Sequence, residues 1–256
     1  MYSILHQLLS DKENGDIFNV FGPWHFVYVG LTVLMISFAL LLCRNKTRKV
    51  KRKTAAYFVD VAFGLYILDF FLMPFAYGEI DIEKLPFHAC TAMCVMSFLS
   101  CRVLALKKFR VSFATMGLIS NLAYLVFPAG VMWHSVHPLS YRVIQTLIFH
   151  SMMIVYGVMT LWYEDDGMLR NHWKTDLSVT VGMTAWALLG SYAYSGTAGD
   201  YSRTINWFFV LRDPFNWLPE PASRFVMPFL LIVLFFSAEC ILHLLFGCWK
   251  RDKALQ

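Results

Sequence analysis

Long apolar stretches separated by short polar segments occupy most of the chain. A helix rises about 1.5 Å per residue and the hydrocarbon core of a bilayer is roughly 30 Å thick, so about 20 apolar residues cross it. Seven stretches meet that length: 24–43, 55–75, 86–106, 111–133, 142–162, 177–194 and 225–246. Inside lipid a helix satisfies its own backbone, whereas barrel strands would be shorter and would alternate apolar with polar residues. The pattern predicts an all-α bundle of seven membrane helices, forming one integral membrane domain over 1–256. The segment from Ser195 to Arg224 is rich in aromatics, among them Tyr201, Trp207, Phe208, Phe209, Phe215 and Trp217. Such a stretch is expected at the interface or dipping back into the bundle.

Composition agrees: 58% of residues are hydrophobic and only 15% charged, too little polar surface for a soluble domain of this length. The net charge of +5 is a topology signal. Arg44, Lys46, Arg48, Lys49, Lys51, Arg52 and Lys53 crowd the first loop, and Lys107, Lys108, Arg110, Arg170, Lys174 and Lys250 fall on the same side. The positive-inside rule puts the amino terminus outside and the carboxyl terminus in the cytosol. Basic runs beside a span meet anionic lipid headgroups, so membrane lipids are the expected partners and nucleic acid is not. No cleavable signal peptide is read in the first twenty residues, which carry Asp11, Lys12, Glu13 and Asp16 without a basic-then-apolar order.

Ionisable groups within spans are costly, and each is a site hypothesis. Depth sorts them into two sets. Asp60, Arg102, Glu239 and His243 fall near the cytosolic ends, with Glu239 and His243 at i and i+4 on one helix face. Their plainest role is a structural polar cluster with Arg102 snorkelling; the sharper one is a proton or ion path. The outer set comprises Asp69, His88, Cys90, Asn121, His150, Asn206, Arg212 and Asp213. Polar groups from several segments at one depth predict an outward-opening pocket for a small molecule or lipid.

Cys90 carries the best chemistry in this set. Pro86 suits the first turn of a helix, which sets Cys90 about one turn in. The positive end of the helix dipole favours a thiolate there, while apolar surroundings oppose it. Cys94 and Cys101 share its face. His88 points elsewhere in a regular helix, so His150 is the better base, with Asp69 able to orient it and Asn121 or Asn206 able to stabilise an oxyanion. A free cysteine is also often just a small buried hydrophobe. No standard metal-ligand spacing occurs, so neither metal nor cofactor is expected. His134 and His137 read as solvated loop residues.

Three short motifs carry a family resemblance. Leu85-Pro86-Phe87-His88-Ala89-Cys90 resembles the "LPLHLC" signature of YwaF-like bacterial integral membrane proteins. Phe21-Gly22-Pro23-Trp24-His25 and the segment from Asn206 to Pro214 are similar to that family as well, and Phe149-His150 fits its fifth span. In the late motif, approximately "NYMFLxxKP", Trp207 and Val210 replace Tyr and Leu, and Asp213 stands at the Lys position beside Arg212. The eukaryotic transmembrane-protein-164 group is a distant relative. The resemblance implies a seven-helix bundle in a bacterial cytoplasmic membrane. From the eukaryotic relatives it implies cysteine-dependent acyl transfer between phospholipids, with Cys90 as acyl-accepting thiol and His150 or His88 as base. Asp69, Asn121, Asn206 and Arg212 are then the candidate substrate-binding residues. A transporter or ligand-sensing bundle using the same pocket is the alternative, and a scaffold held by interhelical polar contacts is a third reading.

Overall fold

The computed structural model describes residues 17–77, 84–128, 136–164, 169–194, 206–213 and 217–254. Of the segments singled out above, the first sixteen residues and the stretch 195–205 lie outside these, as do Trp133, His134 and Phe215. Among the described residues the chain is helical, without strands. The helices are α1 (Pro23–Cys43), α2 (Arg48–Tyr77), α3 (Ala89–Ser100), α4 (Arg110–Val126), α5 (Tyr141–Tyr163), α6 (Leu169–Tyr194) and α7 (Ala222–Ala254). Short 3-10 turns cover Leu104–Phe109 and Trp207–Phe209.

Five helical segments are long and apolar enough to cross a membrane: Pro23–Cys43, Arg48–Leu72, Leu104–Val126, Tyr141–Tyr163 and Ala222–Cys248. The expected third span is shorter than its apolar run. Helix α3 has 12 residues, about 18 Å at 1.5 Å per residue. It begins after a turn at Leu85–His88, so Pro86 precedes the helix instead of opening it, and His88 is the N-cap. It ends at Ser100; the Arg102 guanidinium donates back to the Phe98 carbonyl at 3.0 Å and lies over the Phe98 ring. The sixth expected span is a full-length helix, but Ser, Thr, Gly and Tyr thin out its apolar run.

The chain divides into two compact units: Met1–Asp81 with Ser120–Glu164, and Ile82–Ile119 with Asp165–Gln256. The boundary falls inside α4. In the first unit α5 packs against both α1 and α2. Of its span 72% is buried, against 22% for α1, which marks α5 as central and α1 as peripheral. Ser140 caps α5 by accepting the Val143 N–H. Polar contacts then tie its length to its neighbours: Gln145 to the Leu65 carbonyl, Ser151 to Thr32 at 2.7 Å, and Tyr163 to the Leu40 carbonyl. In the second unit α6 pairs with α7, and α3 and the Leu104–Phe109 turn pack on α6. Leu34, Phe38 and Leu41 on α1, and Phe225, Phe229 and Val233 on α7, stay exposed, an apolar surface suited to lipid.

Candidate functional site

In the first unit the site is built around His150, 3% exposed, in the middle of α5. Its Nδ1 lies 2.6 Å from Asn121 Oδ1 on α4, and Asn121 is completely buried. A carboxamide oxygen only accepts, so Nδ1 carries the proton and Nε2 keeps the basic lone pair. Tyr124, one turn along α4, stacks on the imidazole with centroids 3.8 Å apart. Position and tautomer of His150 are thereby set by one helix. Asn121, expected as a substrate or oxyanion contact, turns its carboxamide oxygen to the histidine and orients it. Asp69 is buried on α2 in the same unit.

The early motif has a structural task in this unit. His25 is buried at the start of α1; its Nδ1 accepts the Phe21 N–H at 2.9 Å and its Nε2 donates to the Leu125 carbonyl at 2.7 Å. Those bonds hold Phe21 at φ 59°, a left-handed backbone that a phenylalanine seldom adopts.

In the second unit the other two motifs meet. Cys90 is the second residue of α3, half-buried, and nearer the positive helix end than the Pro86 start implied. His88 Nδ1 accepts the Phe208 N–H at 3.4 Å. Phe208 and its neighbour Phe209 both have φ near 55°, a strain of order 1–3 kcal/mol each. Asn206 supplies the restraint: its Oδ1 accepts the Leu211 and Arg212 N–H groups at 2.8 and 3.1 Å, and its Nδ2 donates to the Arg212 carbonyl at 2.8 Å. Asp213 closes the loop by accepting the Trp217 and Leu218 N–H groups. An aspartate, not a lysine, is what that turn needs. Arg212 pairs with Glu220 at 3.0 Å, and Glu220 also meets Arg224 at 3.6 Å. Asn206 is thus a loop clamp, while Arg212 keeps a partly exposed guanidinium.

Aromatic packing joins this loop to α3 and α6. The Phe87 ring contacts Trp186, Trp207 and Tyr194, and the Trp186 Nε1–H donates to the Pro86 carbonyl at 2.8 Å. Beside Pro86 begins an apolar groove of about 460 Å³ that runs between α3 and α6 to Leu106, Phe109 and Phe113.

A second polar feature lies between α6 and α7. Asp176 Oδ2 is 3.1 Å from His243 Nε2, and the Thr180 hydroxyl donates to Glu239 Oε2 at 2.9 Å. All four residues are fully buried, and His172 stacks on His243. The expected Glu239 and His243 face is there. Its partner Asp176 was missed because the hydropathy boundary placed it just outside the sixth span. The i and i+4 repeat of Asp176 with Thr180 was the available signal. Asp60 is half-buried on α2, in the first unit. Among the described residues no group of His, Cys, Asp and Glu is arranged to hold a metal ion. No disulfide joins any of the six cysteines, all of which lie among the described residues.

Cys90 and His150 belong to different units. What fold and sites define together is a multi-pass helical membrane protein with buried polar groups inside apolar helices. A family model describing the TMEM164 family matches residues 10–249, and the chain belongs to that family. No curated protein and no solved structure matches it.

Proposed function

We propose that this membrane protein is a phospholipid acyltransferase working through an acyl-Cys90 intermediate. One observation carries the reading: a thiol at the second position of α3, at the junction of two motifs whose strained loop is clamped by Asn206. Backbone held in sparsely populated conformations gathers at working sites. In the proposed cycle the Cys90 thiol gives its proton to a general base as Sγ attacks the ester carbonyl of a donor lipid. The S–C bond forms, the ester C–O bond breaks, and the lyso-lipid leaves with that proton. A second lipid hydroxyl gives its proton to the same base and attacks the thioester, and the proton returns to the departing thiolate to free the thiol.

The developing oxyanion needs donors. Asn206 is engaged in its own loop, so the first-turn N–H groups of α3 take that role, helped by His88. With Nδ1 accepting, a neutral His88 carries its proton on Nε2 and acts as donor, not base. Arg212 would meet the lipid phosphate through its exposed face. The reading includes seven crossings, with α3 and α6 completing the five apolar helices, the amino terminus outside and the site opening to the outer leaflet. A bacterial cytoplasmic membrane as its home rests on the motif resemblance alone.

Intact-mass spectrometry in mild detergent, with and without neutral hydroxylamine, tests this. The expected result is a hydroxylamine-labile fatty-acyl mass on Cys90, absent in Cys90→Ser. An unmodified Cys90 after incubation with phospholipid donors overturns the enzyme. It would favour the transporter or ligand-sensing reading, to which the buried ladder of Asp176, Thr180, Glu239 and His243 lends itself.

A further inference from the structure

The second unit holds its groove within one turn of the thiol, along the same helix. Helix α3 presents Met93 and Met96 to it, α4 presents Phe113, and α6 presents Gly182, Met183 and Trp186. Its polar side chains are already satisfied. The Ser178 hydroxyl donates to the Lys174 carbonyl at 2.7 Å, and the Trp186 Nε1–H to Pro86. Nothing in the lining asks for a polar ligand, so a hydrocarbon fits and a headgroup does not. Methionines add adjustable walls. Along α6 the groove runs from Ser178 to Trp186, about 12 Å at 1.5 Å per residue.

The groove also has a direction. Pro86 and Trp186 mark one end, and Pro86 lies just before the α3 N-terminus that carries Cys90. Leu106, Phe109 and Phe113 mark the other. Midway along the α6 wall sits Gly182. A Cβ built there meets no atom within 4 Å, so a larger side chain would enter the groove without a clash.

We infer that this groove is the acyl-chain slot of the donor phospholipid, with its carbonyl end at Cys90, and that Gly182 sets how long a chain it accepts. The chemistry at Cys90 rests on the acyltransferase reading; the slot is tested apart from it. Cys90→Ser protein in nanodiscs is incubated with phosphatidylcholine bearing a terminal diazirine on a hexadecanoyl or an octanoyl chain, photolysed, and mapped by peptide mass spectrometry. The hexadecanoyl probe should label Met96 and Phe113, and the octanoyl probe Met183. Gly182→Leu should cut hexadecanoyl labelling about tenfold, the loss of roughly two buried methylenes, and spare the octanoyl probe. Gly182→Ala should fall between. Gly30→Leu on α1, also in open space, should change nothing. Leu and Ala favour helix over Gly, so these variants should fold, and a melting curve checks this.

Hexadecanoyl labelling that ignores Gly182→Leu, or that falls only on lipid-facing residues such as Phe38 and Phe229, overturns the slot. Groove labelling that behaves as expected, in a protein whose wild-type Cys90 never carries an acyl group, upholds the slot and overturns the acyltransferase.

Discussion

Asn121 and His150 show how one hydrogen bond sets a tautomer. The pair is 2.6 Å apart and sealed from solvent, so its imidazole N–H has no water to turn to. Asn121→Leu would remove the acceptor and leave that donor unsatisfied, at a cost of about 1–3 kcal/mol. The expected outcome is a lower Tm in detergent. Asn121→Asp keeps an acceptor at the same place and should retain most of the stability. Equal loss in the two variants would show that the contact is packing, not hydrogen bonding. Asn206 makes a parallel case: its three hydrogen bonds hold Phe208 and Phe209 in a backbone they would not choose.

Element boundaries here are decided by what each helix end touches. Helix α3 starts at Ala89 because the preceding turn lays the Phe87 ring across α6. The place it takes exists because residue 190 is glycine; a Cβ there would run into the ring. Gly190→Ala should therefore destabilise the α3–α6 packing by about 1–3 kcal/mol, the usual cost of overpacking, despite alanine's better helix propensity. Differential scanning fluorimetry in detergent would read this as a lower Tm. Phe87→Ala on top of Gly190→Ala should cost less than the sum of the two single changes, since the clash goes with the ring. Additive losses would mean that the two residues act independently. Between α6 and α7 the rungs Asp176–His243 and Thr180–Glu239 place buried polar groups opposite one another, the arrangement that makes such groups tolerable in an apolar setting.

Across the whole molecule, exposed apolar side chains on α1 and α7 and the basic segment from Arg44 to Lys53 describe a protein that lives in a bilayer. Orientation is open to a direct check. Cys248 is the exposed thiol near the end of α7, beside the basic tail. A membrane-impermeant maleimide should modify it in inside-out vesicles and leave it untouched in right-side-out ones. The reverse pattern would put the tail outside and the Cys90 end of α3 on the opposite face from the one proposed.

Membrane helices were legible in the chain itself, since each closes its backbone hydrogen bonds within its own segment and shows its apolarity locally. So were Cys90, His88, His150, Glu239 and His243 as residues to watch, because an ionisable or nucleophilic group in an apolar run stands out without any neighbour. Their partners were not. Asn121 is 29 residues from His150, and Glu239 is 59 from Thr180. A spacing rule reaches one turn of one helix, not the face of another. The true length of α3, the loop clamp at Asn206 and the groove at Gly182 came only with the tertiary structure. Each depends on which side chains meet across helices, and packing, not local periodicity, chooses them.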